Sequence, residues 1–190
     1  MAKLKICGVN DAAFAAEAER LGADYVGVIF AEGSPRRVAP EKAREIVSAL
    51  SGRARVVGVF TSAGVAEVAT VAGRLGIGIV QLHRRASASD VAALKAAGFE
   101  VWALAGGAPA DALLFDSSHG DGETEIRRGP WRAVIAGGIS EATLASALRS
   151  GADVIDASGS LETSPGVKSP ELLRRFMAQF RRLSSAQCNS

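Results

Sequence analysis

Cys7 lies toward the end of the apolar stretch LKICGV (4–9) and Asp116 near the end of ALLFDS (112–117), so a thiol and a carboxyl, both able to exchange protons, stand at the ends of two runs that read as β-strands. Other polar side chains hold the same kind of position. Gln81 and His83 end IGIVQLH (77–83), Asp156, Ser158 and Ser160 fall in DVIDASGS (153–160), and Arg36 sits in the loop after YVGVIF (25–30). Gly137 and Gly138 end RAVIAGG (132–138), and Gly159 precedes Ser160. Each type also has a plainer use. A strand cysteine is ordinarily a small buried hydrophobe, a strand-end aspartate caps loops, and an arginine is commonly a solvated cation.

The elements that must position these residues follow from the pattern of the chain. Apolar, β-rich runs alternate with alanine-rich segments of helical period: 4–9 with 11–24, 25–30 with 40–50, 54–60 with 63–75, and 77–83 with 87–98. Runs such as Val56 to Phe60 are apolar almost without alternation, as expected of parallel strands covered on both faces. Four more strands follow at 100–105, 112–117, 132–138 and 153–160, with clear helices only at 140–151 and 169–183. Eight strands predict a closed (β/α)8 barrel rather than a doubly wound open sheet, although 190 residues is below the roughly 200 to 250 common for that architecture. Six residues, GGAPAD, link strands five and six, and the polar, glycine-rich segment 117–131 offers no convincing helix. Helices around strand six are therefore expected to be shortened or missing. The reading gives one barrel domain over 1–183 and a disordered tail over 184–190.

In such a barrel the active site forms where strands end and βα loops begin, which is where the polar residues above lie. Glycines after strands seven and eight let backbone N–H groups approach an anion closely, so the expected ligand is a phosphorylated small molecule.

Composition narrows the class further. The chain is 48% hydrophobic and 22% charged with a formal net charge of +2, the balance of an ordinary folded domain. Basic residues are scattered apart from pairs such as Arg36-Arg37 and Arg84-Arg85, which argues against nucleic acid. No apolar run approaches the roughly 20 residues that span a bilayer, so no membrane association and a cytoplasmic address are expected. Cys7 and Cys188 lie at opposite ends without metal-ligand spacing, and no metal site or disulfide framework is expected. His119 and Cys188 read as surface and tail residues, and the two tryptophans as packing residues.

Motifs in order along the chain carry a resemblance. KICGV (5–9), GADYVGVIF (22–30), SPRRV (34–38), VGVF (57–60), QLH (81–83), LLFDS (113–117), AGGIS (136–140) and SLETSPGVKS (160–169) together resemble the phosphoribosylanthranilate isomerases of tryptophan biosynthesis. The resemblance implies an Amadori rearrangement, in which the ribosyl ring of N-(5'-phosphoribosyl)anthranilate opens and the resulting imine becomes a 1-amino-1-deoxyribulose. It places the general acid on Asp116 and the general base on Cys7, Arg36 on the anthranilate carboxylate, Asp156 on the ribose hydroxyls or in orienting the opened sugar, and Gly137, Gly138, Gly159 and Ser160 around the phosphate. Gln81 and His83 would line the site. No cofactor is implied, since the reaction only moves protons, and a monomer or homodimer is expected. A free thiol with a pKa near 8.5 is mostly protonated at neutral pH, so Cys7 is expected at a partly exposed strand end where neighbours favour the thiolate.

The chain also departs from that family pattern. GDGETEIRRGPW (120–131) replaces a GGTG-like turn, QLHRRAS replaces QLHG followed by an acid, and Lys168-Ser169 replaces a Lys-Asp pair. Arg84 and Arg85 then read as a solvated helix entrance, and Ser169 as a helix cap. These changes keep open a barrel that binds a sugar phosphate with weak, altered or no isomerase activity.

Overall fold

A computed structural model of the chain describes residues 2–117 and 126–188. The expected loop at 118–131 therefore lies partly outside the described residues, and His119 wholly so.

Eight parallel strands close into one barrel, β1 (Lys3–Ile6), β2 (Tyr25–Ile29), β3 (Arg55–Phe60), β4 (Ile79–Leu82), β5 (Glu100–Leu104), β6 (Ala112–Asp116), β7 (Arg132–Ala136) and β8 (Val154–Ala157). Each strand pairs with its neighbours in sequence, and β1 closes against β8 with Lys5 opposite Asp156 in the register. The open sheet is thereby excluded.

Alternation along the strands sorts side chains between two cores. Tyr25, Val57, Val59, Ile79, Trp102, Leu114, Val134 and Val154 form the interior cluster, while Leu4, Ile6, Val80, Leu82, Leu113 and Ile155 belong to the larger cluster between strands and helices. Trp102 is fully buried inside the barrel, edge-on to Tyr25 at 5.1 Å between ring centroids, and its indole N–H donates to Glu100 Oε1 at 2.6 Å. It packs, as its type suggested.

The outer layer consists of α1 (Ala12–Arg20), α2 (Pro40–Ser48), α3 (Val65–Arg74), α4 (Ala88–Ala96), α5 (Leu144–Arg149) and α6 (Pro170–Cys188). Local chemistry starts several of them. Asp11 caps α1 by accepting from Phe14 N at 2.8 Å, Ser87 caps α4 by accepting from Asp90 N at 3.1 Å, and proline begins α2. Ser169 accepts from Leu172 N at 3.3 Å at the start of α6, the cap expected of it.

Residues 105–111 cross from β5 to β6 without a helix, as does the described part of the β6–β7 connection, 126–131. The barrel wall is thin around β6, as expected. In place of a helix, Ala108 N donates to Ala86 O, and Ile126 and Trp131 pack against the outer core.

Two features differ from the sequence reading. Helix α6 continues to Cys188 instead of ending at 183, and the added turn keeps Ser184 buried. The segment after β8 forms a short 3₁₀ turn, Gly159–Leu161, and an antiparallel hairpin of β9 (Glu162–Ser164) and β10 (Val167–Lys168). No helix of the described residues is long and apolar enough to cross a membrane.

Candidate active site

At the carboxyl ends of the strands lies a cavity of about 520 Å³, and all ten residues to which the resemblance gives a place in the site line it: Cys7, Arg36, Gln81, His83, Asp116, Gly137, Gly138, Asp156, Gly159 and Ser160. Period two explains the gathering. Cys7 follows β1, Gln81 lies in β4 with His83 just beyond, Asp116 ends β6 and Asp156 lies in β8, all on the interior face. Gly137 and Gly138 follow β7 with φ of 80° and 63°, a left-handed pair that side chains rarely adopt. Ser34, Thr61 and Ser158 also line the cavity.

Beneath this rim is a residue that the sequence reading missed. Lys5 is fully buried, two positions before Cys7 on the same face of β1. Its Nζ donates to Asp156 Oδ2 at 2.6 Å and to Gln81 Oε1 at 2.8 Å, and lies 6.0 Å from the centre of the Trp102 ring. Burial alone would lower the Lys5 pKa, but the carboxylate of Asp156 outweighs it and holds the ammonium charged. Gln81 Nε2 in turn lies 3.2 Å from His83 Nδ1, and His83 Nε2 lies 3.4 Å from Asp116 Oδ2. A polar chain thus runs across the barrel from β8 through β1 and β4 to β6. Its clue in the sequence was Lys5 inside the otherwise apolar run LKICGV (4–9).

Cys7 is 7% exposed and not at a partly open strand end. Burial pushes its thiol upward, and the nearby Lys5 and Lys168 ammonium groups only partly offset this. The expectation of an exposed strand end is thereby corrected: the backbone ladder continues past β1, with Cys7 N donating to Ala157 O at 2.8 Å, and keeps the side chain inside the barrel. Gly27 in β2 makes room for it. A Cβ there would stand 2.7 Å from Cys7 Sγ.

Arg36 does not extend freely into the cavity. Its Nε and Nη2 donate to the two carboxylate oxygens of Glu162 at 2.7 and 2.8 Å, a bidentate pair supplied by the hairpin after β8. Lys168 Nζ, buried in the same hairpin, donates to Glu162 Oε1 at 2.8 Å and to Ser158 O at 3.0 Å. Burial works to raise the Glu162 pKa, but the two cations outweigh it and hold it at about 2. Glu162 and Lys168 were legible only as letters of the SLETSPGVKS motif. Arg84, expected as a solvated cation, pairs with Asp90 of α4 at 2.7 Å. Among the described residues no cluster of histidine, cysteine, aspartate or glutamate could hold a metal ion.

A closed parallel barrel whose strand ends bring a thiol, a carboxyl and a run of glycines to one cavity has the architecture of a (β/α)8 barrel enzyme, with its pocket where such enzymes form their active sites. Comparison with known proteins narrows this. The family model described as N-(5'phosphoribosyl)anthranilate (PRA) isomerase matches residues 4–179. The N-(5'-phosphoribosyl)anthranilate isomerase of Rubrobacter xylanophilus is 37% identical over 202 residues, covering 94% of this chain and 98% of its own. That of Rhodospirillum centenum is 34% identical over 208 residues, covering 93% and 96%. Among solved structures, the phosphoribosyl anthranilate isomerase of Thermus thermophilus superposes with a TM-score of 0.83 at 33% identity, covering 95% of this chain and 99% of that one. The chain belongs to the N-(5'-phosphoribosyl)anthranilate isomerase family.

Proposed function

We propose that this chain catalyses the Amadori rearrangement of N-(5'-phosphoribosyl)anthranilate to 1-(2-carboxyphenylamino)-1-deoxyribulose 5-phosphate, acting in the cytoplasm in tryptophan biosynthesis as an aldose–ketose isomerase, an intramolecular oxidoreductase. The observation that carries the reading is convergence: the ten residues chosen from motifs scattered over the whole chain line one cavity at the catalytic end of the barrel.

Asp116, as the acid, gives its proton to the ring oxygen while the C1'–O bond breaks and the nitrogen lone pair forms an iminium. Cys7, as thiolate, then removes the C2' proton, and the electrons of that C–H bond form the enolamine, which ketonises to the product. One group donates and the other accepts, so only protons move. Two of the five N–H donors of Arg36 are engaged by Glu162, and the remainder of the fork is offered to the anthranilate carboxylate. Asp156 Oδ1 and Ser160 Oγ are shielded from solvent without a hydrogen-bond partner among the described residues, which suits a ribose hydroxyl and a phosphate oxygen respectively. Gly137, Gly138 and Gly159 bring backbone to the same phosphate. The chain works as a monomer or homodimer, which sedimentation will distinguish.

The test is loss of substrate fluorescence with freshly generated phosphoribosylanthranilate, comparing the wild type with Cys7→Ala and Asp116→Asn. Wild-type turnover well above both variants is expected. Wild-type activity no higher than theirs overturns the assignment and leaves a sugar-phosphate-binding barrel.

A further inference from the structure

We propose that Gln81 is a positioning residue that locks His83 in its Nε2–H tautomer, so that the imidazole presents a proton, and not a lone pair, to the carboxyl of Asp116. Donor and acceptor identity along the polar chain fixes the ring. Lys5 is an ammonium and can only donate, so the amide group facing it at 2.8 Å must be the Gln81 oxygen. The same amide therefore turns its NH₂ toward His83 Nδ1 at 3.2 Å. An amide nitrogen has no acceptor capacity, so Nδ1 must supply a lone pair and the ring proton must reside on Nε2. That nitrogen lies 3.4 Å from Asp116 Oδ2.

The direction of every contact is thus set by the charge on Lys5, which the buried carboxylate of Asp156 maintains 2.6 Å away. The consequence at the far end is chemical. With a protonated Nε2 3.4 Å from Oδ2, at ion-pair distance and not in an aligned hydrogen bond, that oxygen is the nearest acceptor, and the proton that Asp116 transfers belongs on Oδ1. The opposite tautomer would place a bare nitrogen beside Oδ2, draw the acidic proton to it, and hold that proton away from the ring oxygen of the substrate. Gln81 thereby fixes which carboxyl oxygen is the acid without touching the reacting atoms, as groups behind a site commonly orient those in front.

This inference rests on Asp116 being the acid, and the experiment separates the two. The chain has two histidines, so ¹⁵N correlation spectra of histidine-labelled protein, with His119→Gln for assignment, read the His83 tautomer directly. The wild type at neutral pH is expected to show a protonated Nε2 and a bare Nδ1. A protonated Nδ1 overturns the proposal whatever the activity. In Gln81→Glu the carboxylate still accepts from Lys5 but can no longer donate to the ring, so at a pH where the spectrum shows the ring neutral Nδ1 is expected to carry the proton and Nε2 to be left bare. kcat is then expected to fall on the order of 10- to 100-fold, with KM changed far less. A tautomer change that leaves kcat unaltered also overturns the proposal. Asp116→Asn tests the acid assignment alone: full activity there removes the acid role while the spectrum of the wild type still reports the lock.

Discussion

Burial is the decisive condition on Cys7. Its thiol is pushed above the ordinary range by desolvation, with Lys5 pulling the other way, so at neutral pH the free protein holds it mostly protonated. In the proposed reaction the thiolate is the working form, so kcat/KM is expected to climb as pH rises, with its midpoint above the ordinary thiol value of about 8.5. A pH–rate profile whose rising limb lies near or below neutrality would show that another group governs the base. Arg36 poses a different problem, since its position depends on a partner far away in sequence. Glu162→Gln removes one charge from the bidentate pair and loosens the fork, which is expected to raise KM about tenfold, the worth of roughly 1.5 kcal/mol in a charge-assisted contact, with kcat much less affected. Steady-state kinetics check the split. The polar rim of the cavity was legible in the sequence because Cys7, Asp116, Gln81, His83 and Asp156 each end or nearly end an apolar run. Lys5, Glu162 and Lys168 were not, because their importance lies in partners 151, 126 and 6 residues away that no local pattern announces.

At the level of elements, the end of the barrel opposite the cavity is tied by Glu19. This side chain, on α1, is 5% exposed and accepts from the backbone N–H groups of Ser51, Arg53 and Ala54 at 2.8, 2.9 and 2.9 Å, fastening the helix to the loop that enters β3. Burial would raise its pKa, but the three donors outweigh this and hold it at about 2. A carboxylate depressed in the folded state stabilises the fold fully above its ordinary value near 4.5, and that contribution is lost as pH falls toward 2. Glu19→Ala is expected to cost about 1–3 kcal/mol at neutral pH by stranding buried donors, and to flatten the loss of stability between about pH 4.5 and 2. Urea unfolding of both proteins across that range decides it, and equal slopes would refute the tie. Most strands and helices were evident from alternation and helical period, and the weak crossovers from their shortness. The hairpin of β9 and β10 was not, since its strands of three and two residues are too short to carry a period, and the last turns of α6 were masked by a polar composition that hides a buried Ser184.

Across the whole molecule, protection is uneven. Strands β1 to β4 are each followed by a helix of nine or ten residues, or by a connection that leads to one, whereas β5 and β6 rely on residues 105–111 and, among those described, 126–131 for outer cover. Backbone with few apolar neighbours opens at low free energy. Hydrogen exchange is therefore expected to be fastest along 105–111 and 126–131 and slowest in β1 to β4; uniform protection around the barrel would contradict this. The cavity lies at the opposite pole from the Glu19 tie, so the same fold places its candidate site on one rim and much of its fastening on the other.

The contact between Lys5 and Asp156 joins the first strand of the barrel to the last, at directly opposed register positions. Neither charge has water to fall back on, so a barrel closed one residue out of step would turn one of them outward and leave the other isolated in a dry interior, a severe fault. Closure of the cylinder and assembly of the machinery at its mouth are consequently one event. A nascent chain that has not yet released β8 lacks the counter-ion on which the orientation of Gln81 and His83 depends, and a correctly zipped seam arrives with its chemistry already aligned.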